Sequence, residues 1–126
     1  MRLLLDSHIL LWWLADNPSL PAAARRAIAN PRSEIFVSAA SVWELAIKAA
    51  LGRLVFPTAT IAEALANEGF LPLGMEVAHA VAAAALPLHH HDPFDRMLIA
   101  QAQLEGLMLV TVDEIARRYD VTTLDI

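Results

Sequence analysis

The stretch DPFDRMLIAQAQLEGLMLVTVD, residues 92–113, contains the signals of one helix followed by one buried strand. Asp92 and Pro93 favour a helix start, because an acidic cap and a Pro at the first helical position both suit a helix N-terminus. Gly106 favours the helix end, since glycine readily adopts the left-handed conformation found there. The run Leu107–Thr111 is apolar up to its last residue, which is typical of a strand buried on both faces.

The same alternation of strands and helices extends through the rest of the chain. We predict strands at Arg2–Leu5, Glu34–Val37, Phe70–Leu73, Leu107–Thr111 and Val121–Leu124, and helices at Ser7–Ala15, Pro21–Ala29, Ser38–Ala50, Thr58–Glu68, Glu76–Ala85, Asp92–Glu105 and Glu114–Tyr119. Strands that alternate with helices form a parallel sheet covered on both sides. We therefore predict an α/β fold, a three-layer α/β/α sandwich with a central parallel sheet of about five strands, in a single domain spanning residues 1–126.

The composition is unusually apolar for a chain of this size. Hydrophobic residues make up 57% of the 126 residues and charged residues 18%, below the roughly 25% charged that is usual. This excess predicts apolar surface that a homodimer, a tightly bound partner, or both would cover. No run reaches the roughly 18 apolar residues of a membrane span, so we expect no membrane association. The absence of cysteine fits a cytoplasmic location.

The net charge argues against a protein that binds nucleic acid by phosphate contacts alone. Such a protein needs Lys or Arg for each neutralised phosphate, whereas this chain has a formal net charge of −5. The charge does not argue against an enzyme whose surplus acids hold metal ions.

Four acidic residues fall at the same end of the predicted sheet. They are Asp6, Glu44, Asp95 and Asp113. Two carboxylates about 4 Å apart repel by about 4 kcal/mol at a dielectric near 20, so four that converge need a cation. Hard divalent ions suit oxygen ligands, which indicates Mg²⁺, with Mn²⁺ also possible. Such an ion can polarise a phosphate and stabilise the leaving oxygen of a phosphodiester.

Each acid also has a purely structural explanation. Asp6 and Asp113 stand where a helix N-cap favours Asp, and Asp95, like Asp92, favours the positive N-terminal end of its helix. Glu44 can pair with Lys48 one turn later, or complete a capping box with Ser41. The segment around Glu44 is nevertheless almost wholly apolar, so its carboxylate should be buried, and a buried charge needs a specific partner.

Three segments together resemble a known family. LLLDSHILLWWL (residues 3–14), VSAASVWELAIKAALGRL (residues 37–54) and HHHDPFDRMLIAQAQLEGLMLVTVDEIARRYDV (residues 89–121) are similar, in order and spacing, to a PIN-domain protein of the VapC toxin type. The resemblance implies an endoribonuclease that is toxic unless held by a cognate VapB-like antitoxin. Together with the apolar composition, we expect a homodimer bound to this antitoxin.

The resemblance also implies roles for particular residues. Asp6, Glu44, Asp95 and Asp113 match the four acidic positions of the family. Ser7 and Thr111 stand beside the first and last acids, where they would support them. For contact with RNA we single out Arg96, which follows an acid and should lie at the rim of the site.

The run His89–His91 is open to several interpretations. Consecutive histidines in a loop cannot all face one ion, because zinc sites space their ligands along the chain. We expect a solvated or RNA-facing loop.

Two other functions remain open: a housekeeping RNA-processing PIN nuclease without an antitoxin, and a non-catalytic module that retains the fold. Phosphatases with a D-x-D motif and phosphoacceptor receiver domains are disfavoured, because the first strand ends in Asp6-Ser7-His8.

Overall fold

A parallel sheet of four strands forms the middle layer of the protein in the computed structural model, which describes residues 1–126. The strands are β1 (Arg2–Leu5), β2 (Glu34–Ser38), β3 (Leu71–Leu73) and β4 (Met108–Val110), and the helices are α1 (Ser7–Leu14), α2 (Ala22–Ala29), α3 (Ala39–Ala50), α4 (Ile61–Glu68), α5 (Val77–Ala85) and α6 (Pro93–Glu105), with 3₁₀ turns at Thr58–Thr60 and Glu114–Arg118. The strand order is β3-β2-β1-β4, and every neighbouring pair is parallel. This arrangement confirms the predicted α/β sandwich.

Strand β1 is buried on both faces because helices cover both sides of the sheet. Successive side chains of a strand point to opposite faces. Accordingly, Leu3 and Leu5 join the apolar cluster that includes Ile9 of α1, while Leu4 joins the cluster that includes Ile99 of α6. All five side chains are fully buried. β1 is therefore the centre of the three layers.

Local signals define the helix ends that lead into the site. The Ser38 hydroxyl accepts a hydrogen bond from the Ala40 N–H and starts α3. Gly106 has a φ of +64° and ends α6, a conformation that costs little only in glycine. Pro72 lies in the edge strand β3, as expected for a residue that cannot donate to a neighbouring strand.

The sheet has four strands rather than about five. The segment Val121–Leu124, predicted as the last strand, makes a single parallel bridge between Thr123 and Leu109. Its hydrogen bonds join the Leu109 N–H to the Thr122 carbonyl at 2.8 Å and the Leu124 N–H to the Leu109 carbonyl at 3.0 Å. Because β4 is itself short, only one of its residues is available to this segment, which stays an extended tail.

Several apolar side chains remain on the surface, and two groups of them lie close together. Between α3 and α4 lies a groove of about 600 Å³, whose lining includes Trp43 and Leu65; Trp43 is 57% exposed. On α5 and the following loop, Val77, Val81 and Leu88 are exposed. The expected surplus of apolar surface is therefore present. None of the helices combines the length and apolarity needed to cross a membrane.

Candidate active site

The candidate site lies at the carboxyl edge of the sheet, between β1 and β4. The backbone N–H of Asp6, directly after β1, donates to the Val110 carbonyl of β4 at 3.1 Å. From β1 the chain continues to β2 on one side, whereas β4 is added later on the other side. Ligands of open parallel sheets bind at such a point, where the strand order reverses.

Asp6 has a capping role and also contacts another strand. Its Oδ1 accepts a hydrogen bond from the Ile9 N–H at 2.8 Å, which caps α1. Its Oδ2 accepts a short hydrogen bond from the Thr111 hydroxyl. Burial raises the pKa of Asp6 above its ordinary value, although these two hydrogen bonds act in the opposite direction. The negative charge of Glu44 also raises this pKa, so the two carboxylates lie within electrostatic range of each other.

Glu44 presents a buried carboxylate oxygen that has no partner. The side chain lies inside α3 and is almost fully buried. Oε2 accepts from Lys48 Nζ at 2.8 Å, whereas Oε1 has no hydrogen-bond partner. The helix is capped by Ser38, so the capping box of Ser41 and Glu44 does not form. A buried oxygen without a partner is rare and indicates a position for a ligand.

Asp95, in the first turn of α6, has a pKa far above its ordinary value. Burial is the main cause and the neighbouring charge of Asp92 the second, and the pKa of Asp95 is raised to about 7. Glu44 and Asp6 contribute in the same direction, while His90 lowers it. Asp95, Glu44 and Asp6 therefore form one electrostatic group, although they lie on three different elements. Asp92 itself caps α6, as predicted, because its Oδ1 accepts from the N–H groups of the first turn.

Asp113 is linked to Asp95 by His90. His90 Nε2 lies 2.7 Å from Asp113 Oδ2 and 3.1 Å from Asp95 Oδ2, and one atom from each of the three side chains lies within 4.8 Å of the others. The other oxygen of Asp113 caps the turn that follows, through the Ile115 N–H.

Of the two alternatives expected for the histidine run, a solvated or an RNA-facing loop, the solvated one is wrong for His90. Its side chain is 13% exposed, whereas His89 and His91 are exposed. Sequence reasoning missed this residue because Asp113, the acid to which it is hydrogen-bonded, lies 23 residues later in the chain and no periodic pattern connects the two. The one local signal is its position two residues before the Asp92 cap.

Thr111 and Ser7 lie beside the acids, as their sequence positions suggest. The Thr111 hydroxyl donates to Asp6 and accepts from the Asp113 N–H at 3.0 Å, so it connects the first acid to the last. Ser7 is buried at the first position of α1, next to Asp6.

Arg96 does not have the role that we expected. Its residue is 9% exposed, and its guanidinium donates to the carbonyls of Ala83, Leu86 and Pro87 at 2.9 Å each and of His90 at 3.2 Å. A guanidinium has five N–H donors, and these carbonyls occupy most of them. The expected contact of Arg96 with RNA at the rim is therefore contradicted, because the side chain turns inward to the loop before α6.

The donor set of this edge fits a hard divalent cation. The carboxylates supply oxygen ligands, and one of them, Glu44 Oε1, is buried without a partner. The like charges that raise the pKa values of Asp6 and Asp95 would be offset by a cation. The structure brings Asp95 and Asp113 together around His90, whereas Asp6 and Glu44 lie outside that group of atoms within 4.8 Å. The oxygen donors of this edge are suited to a hard divalent cation.

The size of a concavity does not mark the site. A hollow of about 800 Å³ lies at the opposite edge of the sheet, with Arg2, Gly106 and Asp120 in its lining. It is larger than the groove between α3 and α4. It contains none of the four acids. The chemistry of the donors, rather than the volume, identifies the carboxyl edge.

The fold and the site together define a small α/β protein with an acidic edge that fits a cation. The chain belongs to the PIN-domain family, whose model matches residues 3–121. It is 38% identical over 119 residues to Ribonuclease VapC22 of Mycobacterium tuberculosis (strain ATCC 25618 / H37Rv), an alignment that covers 92% of this chain and 90% of that protein. The resemblance to VapC-type proteins is therefore confirmed.

Solved structures of toxin–antitoxin proteins share the fold. VapBC2 from Rickettsia felis, bound to a DNA fragment from its promoter, matches with a TM-score of 0.73 and 13% identity over 99% of this chain and 98% of that one. VapBC-1 from nontypeable Haemophilus influenzae matches with a TM-score of 0.67 and 20% identity over 99% and 98% of the two chains. A toxin–antitoxin complex from Klebsiella pneumoniae matches with a TM-score of 0.63 and 20% identity over 87% and 85%.

Proposed function

We propose that this protein is a Mg²⁺-dependent endoribonuclease and the toxin of a type II toxin–antitoxin pair, acting in the cytoplasm. The observation that carries the proposal is the geometry of the acidic edge, where Glu44 keeps a buried oxygen without a partner and Asp95 and Asp113 lie within 4.8 Å of each other and of His90. A protein gains no stability from such a group, so its retention favours a functional explanation. The relationship to a VapC ribonuclease supports RNA as the substrate.

In this proposal the side chains of the edge divide into ligands and supports. Asp6, Glu44, Asp95 and Asp113 hold the ion, with Mn²⁺ as an alternative to Mg²⁺. The bound ion supplies positive charge that polarises the phosphodiester and stabilises its leaving oxygen. Thr111 fixes the orientation of Asp6 through its hydroxyl.

Besides the bound ion, one lysine side chain lies beside the acids. Lys48 pairs with Glu44, yet its side chain remains 33% exposed. It therefore replaces Arg96 as our candidate for a contact with the RNA phosphate, because it is the cation that the structure holds directly at an acid of the site. Its pairing also keeps one oxygen of Glu44 oriented while the other is free for the ion.

Cleavage of a mixed RNA pool tests the nuclease proposal. We expect cleavage by the wild-type protein with Mg²⁺, and a loss of cleavage with EDTA or with Asp6→Asn. Asp120→Asn is the matched control, since Asp120 is an exposed acid at the opposite edge of the sheet, and it should cleave as the wild type does. Cleavage that survives both EDTA and Asp6→Asn would refute the proposal.

The antitoxin part of the proposal rests on the groove between α3 and α4. Its lining is almost wholly apolar, which suits the apolar face of a partner helix. At one end, the Trp43 ring contacts the Phe94 ring edge to face, with centroids 5.3 Å apart. These two residues directly precede Glu44 and Asp95, so the groove ends near the helix turns that carry these acids. We propose that a VapB-like antitoxin occupies the groove and places an Arg or an apolar side chain against the acids.

The partner can be tested with the product of a short reading frame directly upstream. We expect this protein to co-purify with the wild type and to protect it, and to bind at least tenfold more weakly to Trp43→Arg, which places a charge in the groove. Leu104→Arg is the control, because Leu104 is exposed outside the groove. An active nuclease with no such frame and no such partner would favour the housekeeping RNA-processing enzyme. A protein that binds the partner but cleaves no RNA would favour the non-catalytic module.

The homodimer is also part of the proposal. The apolar side chains of Val77, Val81 and Leu88 offer a surface separate from the groove, so that a dimer and an antitoxin can form together. Sedimentation of the free protein should show twice the mass of the 126-residue chain. A monomer at all concentrations would contradict this part alone.

A further inference from the structure

We infer that His90 is a positioning residue of the metal site: its Nε2–H holds the carboxylate of Asp113 beside that of Asp95. A clamp formed by Arg96 and Tyr119 fixes the loop that presents His90. This inference rests on the proposed function, since it concerns the same acids. It adds a role for a histidine that lies outside the set of four acids.

The tautomer of His90 follows from its hydrogen bonds. The Asp92 backbone N–H donates to His90 Nδ1 at 3.2 Å, so Nδ1 must offer a lone pair. In a neutral imidazole the proton then resides on Nε2, which faces Asp113 Oδ2 at 2.7 Å and Asp95 Oδ2 at 3.1 Å. His90 therefore donates to Asp113, and Asp95 Oδ2 lies against the same N–H without forming a hydrogen bond. It is not arranged as a metal ligand, because an ion would need the lone pair of Nε2.

The loop before α6 is clamped from two sides. The Tyr119 hydroxyl accepts from the His90 N–H at 2.7 Å and donates to the Pro87 carbonyl at 2.6 Å. The Arg96 guanidinium donates to the Pro87 and His90 carbonyls and to carbonyls at the end of α5. Both clamping side chains are buried, at 9% exposure for Arg96 and 6% for Tyr119. The backbone on either side of the imidazole is thus fixed by long-range contacts.

The clamp also explains why an arginine follows an acid of the site. Arg96 and Asp95 are adjacent in the first turns of α6, so the same helix end that positions the acid also positions the loop. His90 then connects this acid to Asp113, which follows β4. A neutral donor between two carboxylates offsets part of their repulsion and restricts their rotamers. Groups that orient metal ligands in this way typically change metal affinity or activity about 10- to 100-fold when removed.

Binding of Mn²⁺, measured by isothermal titration calorimetry, tests the inference with two substitutions of one residue. His90→Leu removes the donor, and we expect Mn²⁺ affinity to fall about 10- to 100-fold. His90→Gln keeps an N–H donor at a similar reach, and we expect it to restore most of that affinity. His91→Leu, at an exposed neighbour, is the control and should bind as the wild type does. Rescue by Gln separates positioning from a general effect on folding.

Two further measurements keep the test decisive if His90→Leu fails to fold. Tyr119→Phe removes only the hydroxyl of the clamp and should weaken Mn²⁺ binding about three- to tenfold, a smaller effect because Arg96 remains. In ¹⁵N-resolved spectra of the metal-free protein, His90 should show the Nε2–H tautomer.

The outcomes distinguish this inference from the proposed function. If the wild type binds Mn²⁺ and His90→Leu binds it equally well or more tightly, the positioning role is refuted and the nuclease proposal stands. An Nδ1–H tautomer would also refute the positioning role. If the wild type binds no Mn²⁺ at all, both fail together.

Discussion

Replacing Asp95 by Asn should make the metal-free protein more stable while removing its activity. In the folded protein the pKa of Asp95 is raised from 3.8 to about 7, first by burial and then by the charge of Asp92. The ionised carboxylate is therefore unfavourable in the native state. Asn has nearly the same shape, keeps an oxygen that can accept from His90, and carries no charge.

The sign and size of the effect follow from linkage between protonation and folding. Because the pKa of Asp95 is higher in the native state than in the unfolded state, its contribution to stability is fully present below pH 3.8. This contribution is lost as the pH rises through about 7, the pKa in the native state. At about 1.4 kcal/mol per pH unit, the full loss is about 4 kcal/mol. Because 29% of the Asp95 side chain is exposed, we reduce this to about 2 kcal/mol for solvent screening. Asp95→Asn avoids this loss, so its gain should be about 2 kcal/mol above pH 7 and close to zero near pH 4.

Urea unfolding in EDTA, followed by tryptophan fluorescence, measures the stability gain of Asp95→Asn. The measurement is made at about pH 4.5, where the gain should be small, and at about pH 8, where it should be complete. With Mg²⁺ at about pH 8, the wild type should gain stability and Asp95→Asn should not, because only the wild type binds the ion. Asp120→Asn, at an exposed position, should match the wild type throughout. A variant that is no more stable than the wild type at about pH 8, or one with the same gain at both pH values, would refute the reasoning.

Three other predictions concern the same edge. Thr111→Val leaves the buried Oδ2 of Asp6 without its donor and should lower the free energy of unfolding by about 2 kcal/mol at neutral pH. The control Thr122→Val, at an exposed position, should change it little, and equal urea midpoints for the two variants would contradict this prediction. Asp92→Ala removes the α6 cap and should cost about 1 kcal/mol while RNA cleavage persists; a folded variant without cleavage would show that Asp92 has a direct role. Because the pKa of Asp95 is about 7, Mn²⁺ must displace a proton at lower pH, so its calorimetric affinity should rise up to about tenfold per pH unit towards pH 7 and then level off; a flat profile would argue against Asp95 as a ligand.

The parts of the fold that depend on local chemistry could be predicted from the sequence. Asp92 and Gly106 define the ends of α6, and Pro72 places β3 at the edge, because caps and proline act through the adjacent backbone alone. The acids could be assigned to one edge because strand ends are local and parallel topology aligns them. The segment Val121–Leu124 has the composition of a strand, but the number of residues that β4 offers to it is a tertiary property.

The roles of His90 and Arg96 could not be predicted for a different reason. The position of Arg96 next to Asp95 indicates nearness to the site and not the direction of the side chain. That direction depends on a group of free carbonyls at the end of α5 and in the next loop, which exists only after α5 and α6 have packed together. His90 likewise depends on where β4 places Asp113. Both residues are defined by contacts between distant segments, which a periodic pattern does not reveal.

The central place of β1 has a consequence for how the activity appears during synthesis. Within residues 1–126, β1 is synthesised before β4, yet Asp6 needs Val110 for its backbone partner and Thr111 for its side chain. The acidic edge therefore cannot assemble until the ribosome has synthesised the chain beyond Asp113. For the ribonuclease proposed above, this order of assembly delays the activity until β4 has emerged and packed against β1.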